Sequence, residues 1–140
     1  MIVVLDTNAL IQIFGQASPG TPIREALRQG HLELAISTPI LLEYEEVILR
    51  SAGRTRWEDV WSFLKLIDLR HGTIHRIGSS YRFHTIIGDP DDDAFADCAI
   101  AAGADHPVTS DHHFAPLIGS GYRPQPITPE EFIRRPLGGA

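Results

Sequence analysis

The sequence predicts an α/β fold, a sandwich of helices around a short, mostly parallel sheet, and three observations carry that reading. Residues Ile2–Leu5 are a wholly apolar run that stops abruptly at Asp6-Thr7-Asn8, as expected of a central strand buried on both faces. Short apolar runs of this kind alternate along the chain with helical segments, the pattern of parallel strands joined by crossover helices. The 140 residues, 43% hydrophobic and 21% charged, suit one domain that buries roughly two-thirds of the surface its unfolded chain exposes. That domain is expected over residues 1–135, with 136–140 as a flexible C-terminal tail.

Taken in order, Asp6-Thr7-Asn8 suits a strand-to-helix turn with an N-cap, and Ala9–Phe14 a short helix stopped by Gly15. Thr21-Pro22 reads as a cap followed by a first-turn proline, Ile23 to Arg28 as the helix, and Gly30 as its stop. Glu33–Ser37 is the second expected strand, after which Thr38-Pro39 opens a helix that runs to about Arg50 and ends at Gly53. Thr55 and Glu58 fit a capping box, and Trp57, Trp61, Leu64 and Ile67 or Asp68 recur at helical spacing to give one apolar stripe. Periodicity is weak from His71 to Gly88, where a short strand is expected at Thr73–Ile77. An acidic helix from about Asp91 to Gly103 comes next, then a strand at Pro107–Thr109 and one helical turn at Asp111–Leu117. A last short strand at Pro126-Ile127 leads to a terminal helix opened by Thr128-Pro129-Glu130-Glu131.

Composition narrows the function. A net charge of −6 argues against a broadly basic nucleic-acid binder, because affinity for phosphates rests on clustered Lys and Arg. It is compatible with an acidic active site and basic patches elsewhere. Lys65 is the single lysine among the twelve basic residues. It precedes the acidic helix, which counts against a receiver-type phosphoacceptor switch, since that chemistry needs a lysine after a late strand. Cys98 is the only cysteine, which excludes an intramolecular disulfide and a cysteine-based zinc site. The N-terminal apolar run has no basic flank and breaks at Asp6, so it reads as neither signal peptide nor membrane span, and a cytoplasmic location is expected.

The chemical signal is the stretch DPDDDAFADCAIAAGADHPVTSD, Asp89 to Asp111. Two carboxylates about 4 Å apart repel by roughly 4 kcal/mol at an effective dielectric of about 20, a large part of the ~5–15 kcal/mol that keeps a domain folded. Either the acids point apart, or some are protonated, or a cation sits among them. In an open parallel sheet the reactive groups collect beyond the carboxyl ends of the strands. Asp6 directly follows the first strand, Glu43 lies in the second turn of the helix after the second, and the acidic helix and Asp111 flank the strand near Val108. Separate segments thus deliver carboxylates to one rim. Asp93 and Asp97, four apart, share a helix face with Ala96 and Ile100, while Phe95, Cys98, Ala99 and Ala102 are expected to face inward. Asp89, Asp91 and Asp92 also suit plain N-terminal capping, whereas Asp97 lies beyond the first turn. Oxygen ligands without cysteine or a clear histidine partner suit Mg²⁺ or Mn²⁺ rather than zinc. The chemistry this implies is phosphodiester hydrolysis by in-line attack of water. Arg50, Arg54 and Arg56, and Arg134 with Arg135, are basic groups suited either to holding a phosphate backbone or to serving as solvated helix ends.

Four stretches in this order, MIVVLDTNALI, STPILLEYEEVILR, DPDDDAFADCAIAAGADHPVTSD and ITPEEF, together resemble the PIN-domain ribonucleases, particularly the VapC-type toxins of toxin–antitoxin pairs. The resemblance spans nearly the whole chain. It implies a PIN-like three-layer α/β/α sandwich and a Mg²⁺- or Mn²⁺-dependent endoribonuclease acting on RNA. It also implies a homodimer or higher oligomer and a cognate antitoxin protein that covers the acidic site. Carried over, the catalytic acids and metal ligands fall on Asp6, Glu43, Asp93, Asp97 and Asp111, with Asp92 as the alternative to Asp93 because the register within DPDDD is ambiguous. Thr7 and Asn8 match the pair after the first aspartate, and Thr109 and Ser110 the polar stretch before the last. His106 departs from the family, which usually has an apolar residue there. The alternative reading is a non-catalytic PIN-fold module that binds RNA or a protein partner around a structural ion.

Overall fold

A computed structural model describes residues 1–14, 20–78, 90–110, 114, 118 and 124–137, with the backbone alone at 90–93. Its elements run β1 (Ile2–Leu5), α1 (Thr7–Ile13), α2 (Thr21–Arg28), β2 (Glu33–Ser37), α3 (Thr38–Ala52), α4 (Arg54–His71), β3 (Ile74–Ile77), α5 (Pro90–Ala102), β4 (His106–Val108) and α6 (Pro129–Phe132). The strands form one sheet in the order β3-β2-β1-β4, and each pairing is parallel. With helices packed around it, the sheet makes the expected α/β/α sandwich.

The central position of β1 follows from its composition. Val3, Val4 and Leu5 are fully buried, and a strand with apolar side chains on both faces is stable only where helices cover both. The chain proceeds from β1 to β2 to β3 in one direction and then returns to place β4 on the other side of β1. That reversal makes the gap beyond the carboxyl ends of β1 and β4 the topological switch point, where open α/β sheets gather their functional groups.

Helix ends depart from sequence expectation in two places. The cap of α2 is Gly20, so Thr21 is already inside the helix. The cap of α4 is Gly53, and no side chain completes it, so Thr55 and Glu58 form no capping box. In both cases a glycine backbone takes the capping position. The stripe on α4 is also shifted: Val60, Leu64 and Ile67 are buried, while Trp61 is exposed and stacks on half-buried Trp57 at 5.9 Å. On α5 the buried set is Phe95, Ala96, Cys98 and Ala99, so Ala96 faces inward rather than beside the acids, and Ala102 is only half-buried. Gly103 (φ 61°) ends this helix as expected, in the left-handed conformation that glycine adopts without a Cβ penalty.

Among the described residues the expected strand at Pro126-Ile127 reduces to a single parallel bridge between Ile127 and Val108. Thr128 caps α6 through its side chain, and a π-helical turn at Ile133–Leu137 continues it, with Leu137 packed against the core. The expected turn at 111–117 lies outside the described residues, except that Phe114 is fully buried.

Candidate active site

Asp6 ends β1 and begins α1. Its backbone is extended (φ −68°, ψ 166°), and its side chain accepts the Ala9 N–H at 2.8 Å as the N-cap of α1. The other carboxylate oxygen, Oδ2, accepts a hydrogen bond from the Thr109 hydroxyl, just past β4. The two residues that flank the switch point are therefore joined directly, and both are buried, Asp6 at 7% exposure and Thr109 at 3%. Thr109 is itself held by its backbone, whose N–H donates to the Ile127 carbonyl at 2.8 Å. A carboxylate this buried keeps its charge only where donors or a cation offset its lost hydration, and here an amide and a hydroxyl supply part of that.

The peptide unit before Asp6 is fixed at both ends. Its N–H, on Asp6, donates to the Val108 carbonyl at 3.2 Å. Its carbonyl, on Leu5, accepts the Tyr44 hydroxyl at 2.5 Å. Tyr44 lies on the inward stripe Ile40, Tyr44 and Ile48 of α3 and is fully buried. Burial pushes its hydroxyl pKa well above the ordinary phenol range, with Cys98 and Asp6 adding to the shift. The ring also packs on Phe95 of α5 at 6.0 Å. Tyr44 was not legible as a site residue from the sequence. The available signal was a hydroxyl-bearing aromatic on an apolar stripe, which must find a polar partner once buried.

The remaining expected residues divide into three groups. Glu43 and Asp97 are half-buried, on α3 and α5. Asp97 lies close enough to Cys98 to act on its thiol, which burial pushes up to about 12, against the lowering effect of a hydrogen bond with Ser37. Thr7 is buried and its Oγ1 has no hydrogen-bond partner among the described residues, while Asn8 and Ser110 are exposed. Asp92 and Asp93 occupy the first turn of α5 by backbone, and their side chains, like all of Asp111, lie outside the described residues. Among the described residues no three of His, Cys, Asp or Glu gather closely enough to share an ion.

The donor chemistry fits a hard divalent cation. The side-chain atoms joined at the switch point are the Asp6 carboxylate and the Thr109 hydroxyl, both hard oxygens. His106, the departure from the resemblance, is structural: its Nδ1 bonds the Gln125 carbonyl at 2.9 Å and its ring meets Phe132 edge-on. The arginines proposed for RNA are partly engaged within the protein. Arg56 donates to the Phe14 carbonyl, Arg50 pairs with Glu46, and Arg134 and Arg135 both pair with Glu131. A cavity of about 270 Å³ between α3, α4 and β3, walled by Ile36, Leu41, Trp61 and Lys65, does not include Asp6, Glu43 or Asp97.

Comparison with known proteins agrees with this architecture. A family model described as PIN domain matches residues 2–113. A chain in the crystal structure of VapBC2 from Rickettsia felis, bound to a DNA fragment from their promoter, superposes with a TM-score of 0.58 at 19% identity, covering 90% of this chain and 98% of that one. No curated protein matches the chain in sequence.

Proposed function

The chain belongs to the PIN-domain family, whose members are generally nucleases, and on that premise we propose that it is a divalent-metal-dependent endoribonuclease and the toxin of a toxin–antitoxin pair. The observation that carries the reading is the buried carboxylate of Asp6 at the switch point, held by the Ala9 amide and the Thr109 hydroxyl.

In this reading Asp6, Glu43, Asp93 or Asp92, Asp97 and Asp111 hold Mg²⁺ or Mn²⁺. Such an ion, when bound, supplies Lewis acidity toward a phosphodiester and a nucleophilic hydroxide near neutral pH. The chain's own contribution is positional. Thr109 and the α1 amide set the direction of both Asp6 oxygens, and the next residue, Thr7, has a buried Oγ1 without a partner among the described residues. Asn8 and Ser110, both exposed at the rim, are placed to meet substrate or solvent. Likeness of fold to a VapBC2 chain supports an antitoxin partner, and the protein is proposed to act in the cytoplasm as a homodimer or higher oligomer. Among the described residues no helix is long and apolar enough to cross a membrane.

The test is cleavage of a panel of structured and single-stranded RNAs with Mg²⁺ or Mn²⁺. Wild-type protein is expected to cut and Asp6→Asn to be inactive. Equal cutting by both would trace the activity to a contaminant. Ions that raise thermal stability without turnover on any RNA would favour the non-catalytic module.

A further inference from the structure

We infer that Tyr44 is a positioning residue for the metal-binding carboxylate, acting through the Leu5–Asp6 peptide rather than on the ion or the RNA. The inference rests on the reading of Asp6 as a ligand.

That peptide is gripped from two sides. The Asp6 N–H donates across the sheet to Val108 on β4, and the Leu5 carbonyl accepts the Tyr44 hydroxyl from α3. An N–H bond alone leaves a peptide plane free to pivot about that bond. A second bond at the opposite end removes the pivot and sets the direction in which the Asp6 Cα–Cβ bond leaves the strand. The Tyr44 ring is in turn buried against Phe95 on α5, and the residue before it on α3 is Glu43. One side chain therefore ties the strand that carries Asp6 to the helix that carries Glu43 and to the helix that carries Asp97.

Metal sites tolerate about 0.5 Å or 10–20° of error in their ligands, so loss of one grip is felt at the carboxylate. Removal of supporting partners typically weakens metal binding by about 10–100-fold. The Tyr44→Phe protein keeps the ring and loses only the hydroxyl. It is expected to bind Mn²⁺ alone, followed by the paramagnetic signal of free Mn²⁺, about 10-fold or more weakly than wild type. On RNA it should lose kcat by about 10- to 100-fold with KM for RNA unchanged. Ile48→Val, a buried change one turn further along α3, serves as the control for simple loosening and is expected to alter neither quantity.

Wild-type Mn²⁺ affinity and kcat in Tyr44→Phe, or equal losses in Ile48→Val, overturn the inference. Should Tyr44→Phe fail to fold, the wild-type protein decides. The Tyr44 hydroxyl proton, slow to exchange when buried and bonded, should shift during a Mg²⁺ titration with the same midpoint as the Asp6 amide. A resonance that does not move overturns the coupling. Wild-type protein that binds Mn²⁺ but cuts no RNA defeats the ribonuclease reading alone, and the Mn²⁺ affinities still judge Tyr44. Wild-type protein that binds no Mn²⁺ defeats both.

Discussion

Replacing Thr109 by valine removes the hydroxyl that bonds the Asp6 carboxylate. The side chain is 3% exposed and its Oγ1 donates to Asp6 Oδ2. Valine fills nearly the same volume, so no cavity term arises. What is lost is a buried hydrogen bond to a charged acceptor, which contributes about 1.5–3 kcal/mol. For a chain of 140 residues, an unfolding entropy of about 2.1 cal/mol/K per residue gives about 0.3 kcal/mol/K, so the melting temperature should fall by about 5–10 °C. The assay is thermal and urea unfolding in EDTA, with Thr109→Ser as the hydroxyl-retaining control. The same change in an Asp6→Asn background should cost only the ~0.5–1.5 kcal/mol of a neutral hydrogen bond, and the difference between backgrounds is the coupling energy. A cost below about 0.5 kcal/mol, or one equal in both backgrounds, would refute the claim that the hydroxyl supports the buried charge.

Other outcomes follow from the same geometry. Asp6→Asn retains a good N-cap and should unfold closer to wild type than Asp6→Ala, which loses the bonds to both the Ala9 N–H and the Thr109 hydroxyl and should be less stable by about 2–4 kcal/mol; urea midpoints compare them, and both should be inactive. The Cys98 thiol, raised to about 12 from an ordinary 9.0, stays protonated in the folded chain while the unfolded chain ionises. Its contribution is therefore complete below pH 9 and is lost between about pH 9 and 12, at up to ~1.4 kcal/mol per pH unit. Urea unfolding from pH 8 to 10 should show this fall, and Cys98→Ala should flatten it. Gly30 has φ 77°, and a Cβ there would lie 2.7 Å from the His71 ring, so Gly30→Ala should cost more than the ~1–2 kcal/mol of left-handed backbone alone. Gly72→Ala (φ 63°), with nothing within 4 Å, should cost only that backbone amount, and paired melting curves distinguish the two.

Much of the fold could be read from local pattern because local physics controls it. Ile2–Leu5 and Glu33–Ser37 appear at the expected bounds, since an apolar run with β-branched residues has little choice but a buried strand. Asp6 at the strand end and Gly103 at the helix end were equally legible, because caps and left-handed turns are decided within a few residues. The Thr55–Glu58 box failed for a related reason: several residues can cap one helix, and loop geometry chose Gly53. Trp61 lies outside the core because α4, which packs mainly on α3 and also on β3, buries Val60, Leu64 and Ile67, and spacing alone cannot say which of two adjacent stripes faces inward.

The site shows the same division. Strand and helix order alone brought Asp6, Glu43, the acidic helix and Asp111 to one rim, and family resemblance added Thr109 and Ser110 and the choice between Asp92 and Asp93. Only the tertiary structure decided that β4 lies beside β1, so that Thr109 reaches an aspartate 103 positions away. It also decided that Tyr44 turns its hydroxyl to the Leu5 carbonyl 39 positions away. Hydrogen bonds of that span depend on strand order and helix rotation, which arise from the packing of the whole core and have no local signature in the chain.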